Sequence, residues 1–332
     1  TVTGTTSTTF PITIQGTTVI TWKFNDGNGS ITTANQNVIV DDVTNPVTPT
    51  LANLTAECSV TPTTPTTTDN CVGTVTGTTT TTFPITTQGT TVVIWTFNDG
   101  NGNSISANQT VIIDDITNPV TPTLSNVTAE CSVTPTAPTT TDNCAGTITG
   151  TTTTTFPITT QGTTVVTWTF NDGNGNSITV NQNVIVDDIT NPVTPTLTNV
   201  TAECSVTPTA PTTTDNCAGT ITGTTSATFP ITSQGTTVVT WTFNDGNGNA
   251  ISVNQNVIID DITNPVSPIL ADATGECSVT PTAPTTTDNC AGTITGTTSA
   301  TFPITTQGTT VVTWTFDDGN GNTTSCSFDV IV

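Results

Sequence analysis

"TTVVTWTFNDGNGNAISVNQNVII" occupies residues 236–259, and its two halves alternate on either side of a six-residue string. In the first half Val239, Trp241 and Phe243 share one face, and Thr240 and Thr242 the other. In the second half Ile251, Val253 and Val257 share a face. A period of two with β-branched and aromatic residues predicts two half-buried strands. Between them, "NDGNGN" at 244–249 consists of the residues that accept positive φ, so a tight hairpin turn follows.

The same sentence returns along the chain. "NDGNGN" stands also at 98–103 and 171–176, with variants at 25–30 and 317–322. Trp22, Trp95, Trp168, Trp241 and Trp314 are each 73 residues apart. A fixed period of this size marks an array of similar modules. The expected modules are 42–114, 115–187, 188–260 and 261–332, preceded by residues 1–41, which match only the second half of a repeat. With no initiator Met and a half module that could not bury its own core, the sequence reads as a slice of a longer protein.

Composition excludes several classes. One Lys (Lys23), no Arg, no His and 24 acidic residues give a net charge of −23. Binding nucleic acid requires cations against phosphate, and an anionic membrane surface would repel this chain. No apolar run approaches the roughly 18 residues of a membrane helix, so membrane insertion is not expected. Acidic, aromatic-poor chains are often disordered. Here the in-register Val, Ile, Trp and Phe positions and the paired cysteines predict order instead.

Those cysteines come thirteen residues apart: Cys58/Cys71, Cys131/Cys144, Cys204/Cys217 and Cys277/Cys290. A zinc site would need a second pair or histidines within the repeat. The constant spacing therefore predicts a disulfide inside each module and an oxidising, extracellular setting. Cys326 replaces the residue equivalent to Val253 and has no obvious partner.

Within 188–260, "TLTNVTAECSV" (196–206) reads as a first strand and "PTAPTTTDN" (208–216) as a Pro-punctuated loop. "GTITGTT" (219–225) reads as a short strand, and "ATFPITSQG" (227–235) as a strand running into a turn. No segment has helical period. The expected fold is all-β: a tandem array of immunoglobulin-like, antiparallel Greek-key β-sandwich modules forming an elongated rod.

The ending "VVTWTFDDGNGNTTSCSFDVIV" at 311–332 resembles the hyalin-repeat family, whose modules close with D-x-x-G-N and then C-S-F-x-V-x-V. "TDNCAG" at 214–219 is similar to that family's D-N-C-G segment. The Thr-rich, Lys-poor form looks like the arrays in very large surface adhesins of Bacteroidetes, including the mobile gliding adhesin. The resemblance implies non-catalytic, extracellular modules at the cell surface. It also implies export by the type IX outer-membrane machinery, and adhesion to polysaccharide or substratum through other parts of the protein.

The turn string also carries metal chemistry. Asp172, Asn174 and Asn176 alternate as D-x-N-x-N, like the first half of a calcium loop, without its later bidentate Glu. In a sandwich of this type the last hairpin loop, the loop after the second strand and the incoming linker meet at one end. That brings the linker pair Asp187/Asp188 together with Asp215 and Asp245, with Glu203 nearby. The equivalent sets are Asp41/Asp42 with Asp69 and Asp99, Asp114/Asp115 with Asp142 and Asp172, and Asp260/Asp261 with Asp288 and Asp318. Carboxylates gathered without basic partners call for a hard divalent ion, Ca²⁺, unless they are spread out and merely solvated.

Catalysis is not expected. Without His, Tyr or Arg, proton transfer would fall to carboxylates alone, and these recur in equivalent places along the array. A Thr-rich ice-binding face would need a flat sheet with a short coil period, which 73 residues do not supply. The predicted role is a stalk segment of a secreted adhesin filament. The alternative is that the repeats themselves bind polysaccharide or one another.

Overall fold

The computed structural model describes residues 1–332. It is all-β, and the quoted hairpin is its most regular part. Ten residue pairs run from Gly235↔Ile259 to Asn244↔Ala250. The turn closes because the Asp245 N–H donates to the Asn249 carbonyl at 3.1 Å. Asp245 Oδ1 in turn accepts from the N–H groups of Asn247, Gly248 and Asn249. Gly246 and Gly248 take φ of 83° and 124°, the left-handed region that only glycine enters freely. Pleating then buries Val239, Trp241, Phe243, Val257 and Ile259 together.

The strands are β1 (Gly16–Asn25), β2 (Ile31–Val40), β3 (Leu54–Ala56), β4 (Thr66–Asp69), β5 (Gly73–Thr76), β6 (Gly89–Asn98) and β7 (Ser104–Ile113). The five-strand set β3–β7 then recurs. Its second occurrence is β8 (Val127–Ala129), β9 (Thr139–Asp142), β10 (Gly146–Thr149), β11 (Gly162–Asn171) and β12 (Ser177–Val186). The third is β13 (Val200–Ala202), β14 (Thr212–Asp215), β15 (Gly219–Thr222), β16 (Gly235–Asn244) and β17 (Ala250–Ile259). The last is β18 (Ala273–Thr274), β19 (Thr285–Asp288), β20 (Gly292–Thr295), β21 (Thr309–Asp317) and β22 (Thr323–Ile331).

The chain folds as two compact units. One comprises Thr1–Ser125, Thr136–Thr154 and Val165–Gln182, and the other Asn126–Pro135, Thr155–Thr164 and Asn183–Val332. In the first unit β3, β7 and β6 form one sheet and β4–β5 a separate hairpin, with Val75, Ile85, Val93, Trp95 and Phe97 packed between them. In the second unit β13–β17–β16 and β14–β15 enclose Ile221, Ile231, Val239, Trp241 and Phe243 in the same way. Gly223 lies under Phe243, where a Cβ would sit 3.0 Å from the ring.

Three expectations are corrected. The sheets are not purely antiparallel, because β3 pairs in parallel with β7 (Leu54↔Val111) and β13 with β17 (Val200↔Val257). The stretch 208–216 is not all loop: β14 begins right after Pro211, and Thr213 is buried with its hydroxyl donating to the Val193 carbonyl. The stretch 227–235 is not a continuous strand. Ahead of Gly235, which opens β16, it keeps only the Val206↔Ile231 bridge, since Pro230 has no N–H to contribute to a ladder.

The predicted bridges Cys58–Cys71, Cys131–Cys144, Cys204–Cys217 and Cys277–Cys290 do not form. The disulfides are Cys58–Cys144, Cys131–Cys217 and Cys204–Cys290, each spanning 86 residues with Cα atoms 4.9 Å apart. The parallel pair explains the change. Cys58 follows β3, which ends alongside the end of β7 and so lies where the chain leaves the repeat. Cys71 sits in the β4–β5 turn, grouped with Asp42 and Asp69 where the chain enters. Thirteen residues carry the chain from one end of the repeat to the other, and each exit cysteine meets the entry cysteine of the following repeat.

Candidate metal centre at the repeat junctions

Asp115, Asp142 and Asp172 come from three separate segments. Asp115 follows β7 in the linker, Asp142 ends β9, and Asp172 opens the turn after β11. All three are buried, and one carboxylate oxygen of each lies within 4.8 Å of the others. Asp115 is fixed at its backbone, its N–H donating to Gln88 Oε1 at 3.1 Å and its carbonyl accepting from Asn176 Nδ2 at 2.9 Å. Its Oδ1 accepts from the Thr117 N–H, and its Oδ2 from Asn174 Nδ2 at 3.2 Å.

The other two carboxylates are held by one oxygen only. Asp142 Oδ1 accepts from the N–H groups of Cys144 and Ala145, both at 2.8 Å. Asp172 Oδ1 accepts from Asn174, Gly175 and Asn176. Their Oδ2 atoms are buried without a partner. Burial pushes the Asp172 carboxyl up, but the hydrogen bonds from Asn174, Asn176 and Gly175 outweigh it and hold the group below its usual 3.8. Asp99, Asp245 and Asp318 are lowered in the same way. Asp172 is therefore ionised at neutral pH, and Lys23 is the chain's one basic side chain.

Of the equivalent residues, Asp42, Asp69, Asp99, Asp188, Asp215, Asp261 and Asp318 are buried, and Asp245 and Asp288 half-buried. Asp69, Asp215, Asp245 and Asp288 also carry orphaned Oδ2 atoms. In the first and last sets an amide relieves the turn aspartate, Asn103 donating to Asp99 Oδ2 and Asn322 to Asp318 Oδ2. The other member of each linker pair lies outside the cluster: Asp41, Asp114, Asp187 and Asp260 are exposed. Their place follows from strand alternation carried one step into the linker, Ile113 inward, Asp114 outward, Asp115 inward.

Beside each staple stands a polar clasp that the sequence reading missed. Glu57 Oε2 accepts from Asn143 Nδ2 at 2.6 Å and from Thr117 Oγ1 at 2.7 Å. Glu130 does the same with Asn216 and Thr190, and Glu203 with Asn289 and Thr263. Glu203 thus joins Asp261 and Cys290 of the following repeat. Gln88 spans the clasp, donating to the Glu57 carbonyl while accepting from Asp115. The available signal was the sum of the 73-residue period and the thirteen-residue spacing. Cys71 and Cys277 are exposed free thiols, and positions 86 residues before the one and after the other fall outside 1–332.

Around Asp115, Asp142 and Asp172 the donors are three carboxylate oxygens, a set that suits a hard divalent cation and not a soft one. Comparison with known proteins adds a relative. The chain is similar to hyalin. It is 33% identical to hyalin of Lytechinus variegatus over 289 aligned positions, which cover 75% of this chain and 53% of hyalin. The chain thus spans about half the length of hyalin. No family model matches. Among solved structures, the protocadherin gamma B2 extracellular cadherin domains 1–5 overlap 95% of this chain and 86% of their own at 14% identity, with a TM-score of 0.26. Drosophila N-cadherin EC1–4 overlaps 82% and 91% at 10% identity, with a TM-score of 0.23. TM-scores this low bear on neither the fold nor the function of this chain.

Proposed function

We propose that this chain is a non-catalytic, load-bearing stretch of an extracellular adhesive repeat protein, whose junctions are locked by disulfides and by calcium. The observation that carries the reading is the overlap of the three disulfides. Cys58–Cys144, Cys131–Cys217 and Cys204–Cys290 interleave, so the covalent path from Cys58 to Cys290 need not follow the backbone. It crosses three S–S bonds and runs back only through 131–144 and 204–217, thirteen residues each. Fully extended, that path measures roughly 90 Å, against about 800 Å for the whole intervening backbone. Such a chain holds its length under tension even where its sheets open.

Calcium completes the junction in this reading. Asp142 and Asp172 would hold the ion through their unpartnered Oδ2 atoms, with the Asp115 carboxylate completing the trio, and the corresponding trios would do so in the other repeats. Likeness to hyalin and a disulfide-rich, acidic composition support a place outside the cell. The finer setting expected from the sequence is the stalk of a secreted cell-surface adhesin of the gliding type. There the array would hold a distal adhesive region away from the surface.

Pulling single molecules by their ends tests the mechanical claim. Oxidised protein is expected to release under about 100 Å from the stapled stretch, and reduced protein several hundred ångströms. Equal extension in both states would overturn it.

A further inference from the structure

The last repeat differs from the others at one buried polar contact. In the earlier repeats the core Trp donates its indole N–H to a buried Gln: Trp95 to Gln109 at 3.0 Å, Trp168 to Gln182 and Trp241 to Gln255 at 2.9 Å. The same carboxamide donates onward to a backbone carbonyl, that of Ala52, Ser125 or Thr198. Each amide thus bridges an indole donor and a carbonyl acceptor inside the repeat. In the last repeat Phe328 stands where Gln255 stands one period earlier, opposite Val312 as Gln255 is opposite Val239. Trp314 is 4% exposed, and its Nε1 has no partner. Ala271 occupies the position of Thr198.

A crevice of about 210 Å³ opens here, lined by Trp314, Phe328 and Ala271 together with Leu270, Pro281 and Pro284. Its walls are aromatic and aliphatic. Besides the Thr282 side chain, its polar features are those that a carboxamide joins in every preceding full repeat. An unpaired buried N–H is costly, so an acceptor supplied from outside gains what the missing Gln would have given. We propose that this crevice binds a small neutral ligand through an acetamido group, as carried by an N-acetylated amino sugar. As the Phe328 ring turns aside and uncovers Trp314 Nε1, the amide oxygen accepts from it, the amide N–H donates to the Ala271 carbonyl, and the methyl group packs against Leu270 and the prolines. A neutral ligand also avoids the repulsion that a chain of charge −23 imposes on anions.

The test is a titration of the ¹⁵N-labelled full chain followed at its indole N–H signals. Probes are acetamide, N-acetylglucosamine and glucose, on the natural chain and on Phe328→Gln. The indole signal that Phe328→Gln displaces is that of Trp314. Acetamide and N-acetylglucosamine are expected to shift this signal while the glutamine-bonded indoles stay still, and glucose to leave it unmoved. Phe328→Gln supplies the amide from within, so it should weaken binding at least tenfold and raise the melting temperature. A Trp314 signal unmoved by either amide, or moved as far by glucose, overturns the proposal. A response to acetamide alone overturns the sugar as the source of the group.

Discussion

Asp172 shows how a single side chain couples the turn to pH. Its Oδ1 takes three backbone N–H groups of its own loop, and these hydrogen bonds hold its pKa below the usual carboxylate value. A group depressed in the folded state gives stability that is complete above its unfolded pKa and lost as pH falls through the folded one. Without metal, Asp172→Asn should therefore lose less stability than the natural chain on acidification from about pH 5 to about pH 2. Thermal melting in EDTA across that range checks this, and parallel losses in the two proteins would contradict it. At this scale the sequence was partly legible. The D-x-N-x-N string pointed to Asp172, and strand alternation separates buried Asp115 from exposed Asp114. Gln255 was not legible, because a buried amide on an apolar face looks like a break in the pattern until its Trp241 partner is seen.

Among the elements, the long hairpin follows from its sequence almost residue by residue, since alternation and turn chemistry are both local. The β13–β17 pair has no such signature. It joins three residues to a strand 57 positions away, and parallel pairing leaves no turn to read. β14 was hidden for another reason: Pro208 and Pro211 look like loop punctuation, yet Pro211 only precedes the strand. Packing between the layers supplies a test. Gly223 admits the Phe243 ring so closely that a methyl group would meet Cε1 at 3.0 Å and the Pro211 carbonyl at 3.3 Å. Gly223→Ala should destabilise this repeat by about 1–3 kcal/mol, the usual cost of overpacking. Calorimetry would show it as a lowered transition, and an unchanged profile would mean that the two layers are not in close contact here.

For the whole molecule, connectivity matters more than any one core. Each disulfide closes 86 residues, which the loop-entropy model values at about 4.5 kcal/mol. Cysteines thirteen residues apart suggested a local loop. The structure sets them at opposite ends of a repeat, a distance that spacing in sequence cannot convey. Cleavage before aspartate distinguishes the two patterns, because Asp69 separates Cys58 from Cys71 and "DNCVG" at 69–73 differs from "DNCAG" at 142–146. Non-reducing mapping should find the Cys58 peptide joined to the peptide that begins at Asp142 and Cys71 unlinked. A Cys58–Cys71 linkage would restore the local loop.

Calcium binding at the junctions is the most direct measure of the account. The three carboxylates around Asp115 lie within reach of one ion and have no basic partner, so a cation bound only to the folded junction stabilises it by mass action. At about a hundredfold excess over Kd this amounts to about 2.7 kcal/mol per site. The decisive experiment is calorimetric titration of the metal-stripped chain with Ca²⁺, together with melting in millimolar Ca²⁺ and in EDTA. Saturable binding at several sites is expected, with a higher melting temperature in calcium and the loss of one site in the double variant Asp115→Asn/Asp142→Asn. No heat of binding, and melting curves that coincide with and without calcium, would contradict it and leave the NDGNGN string as a turn alone.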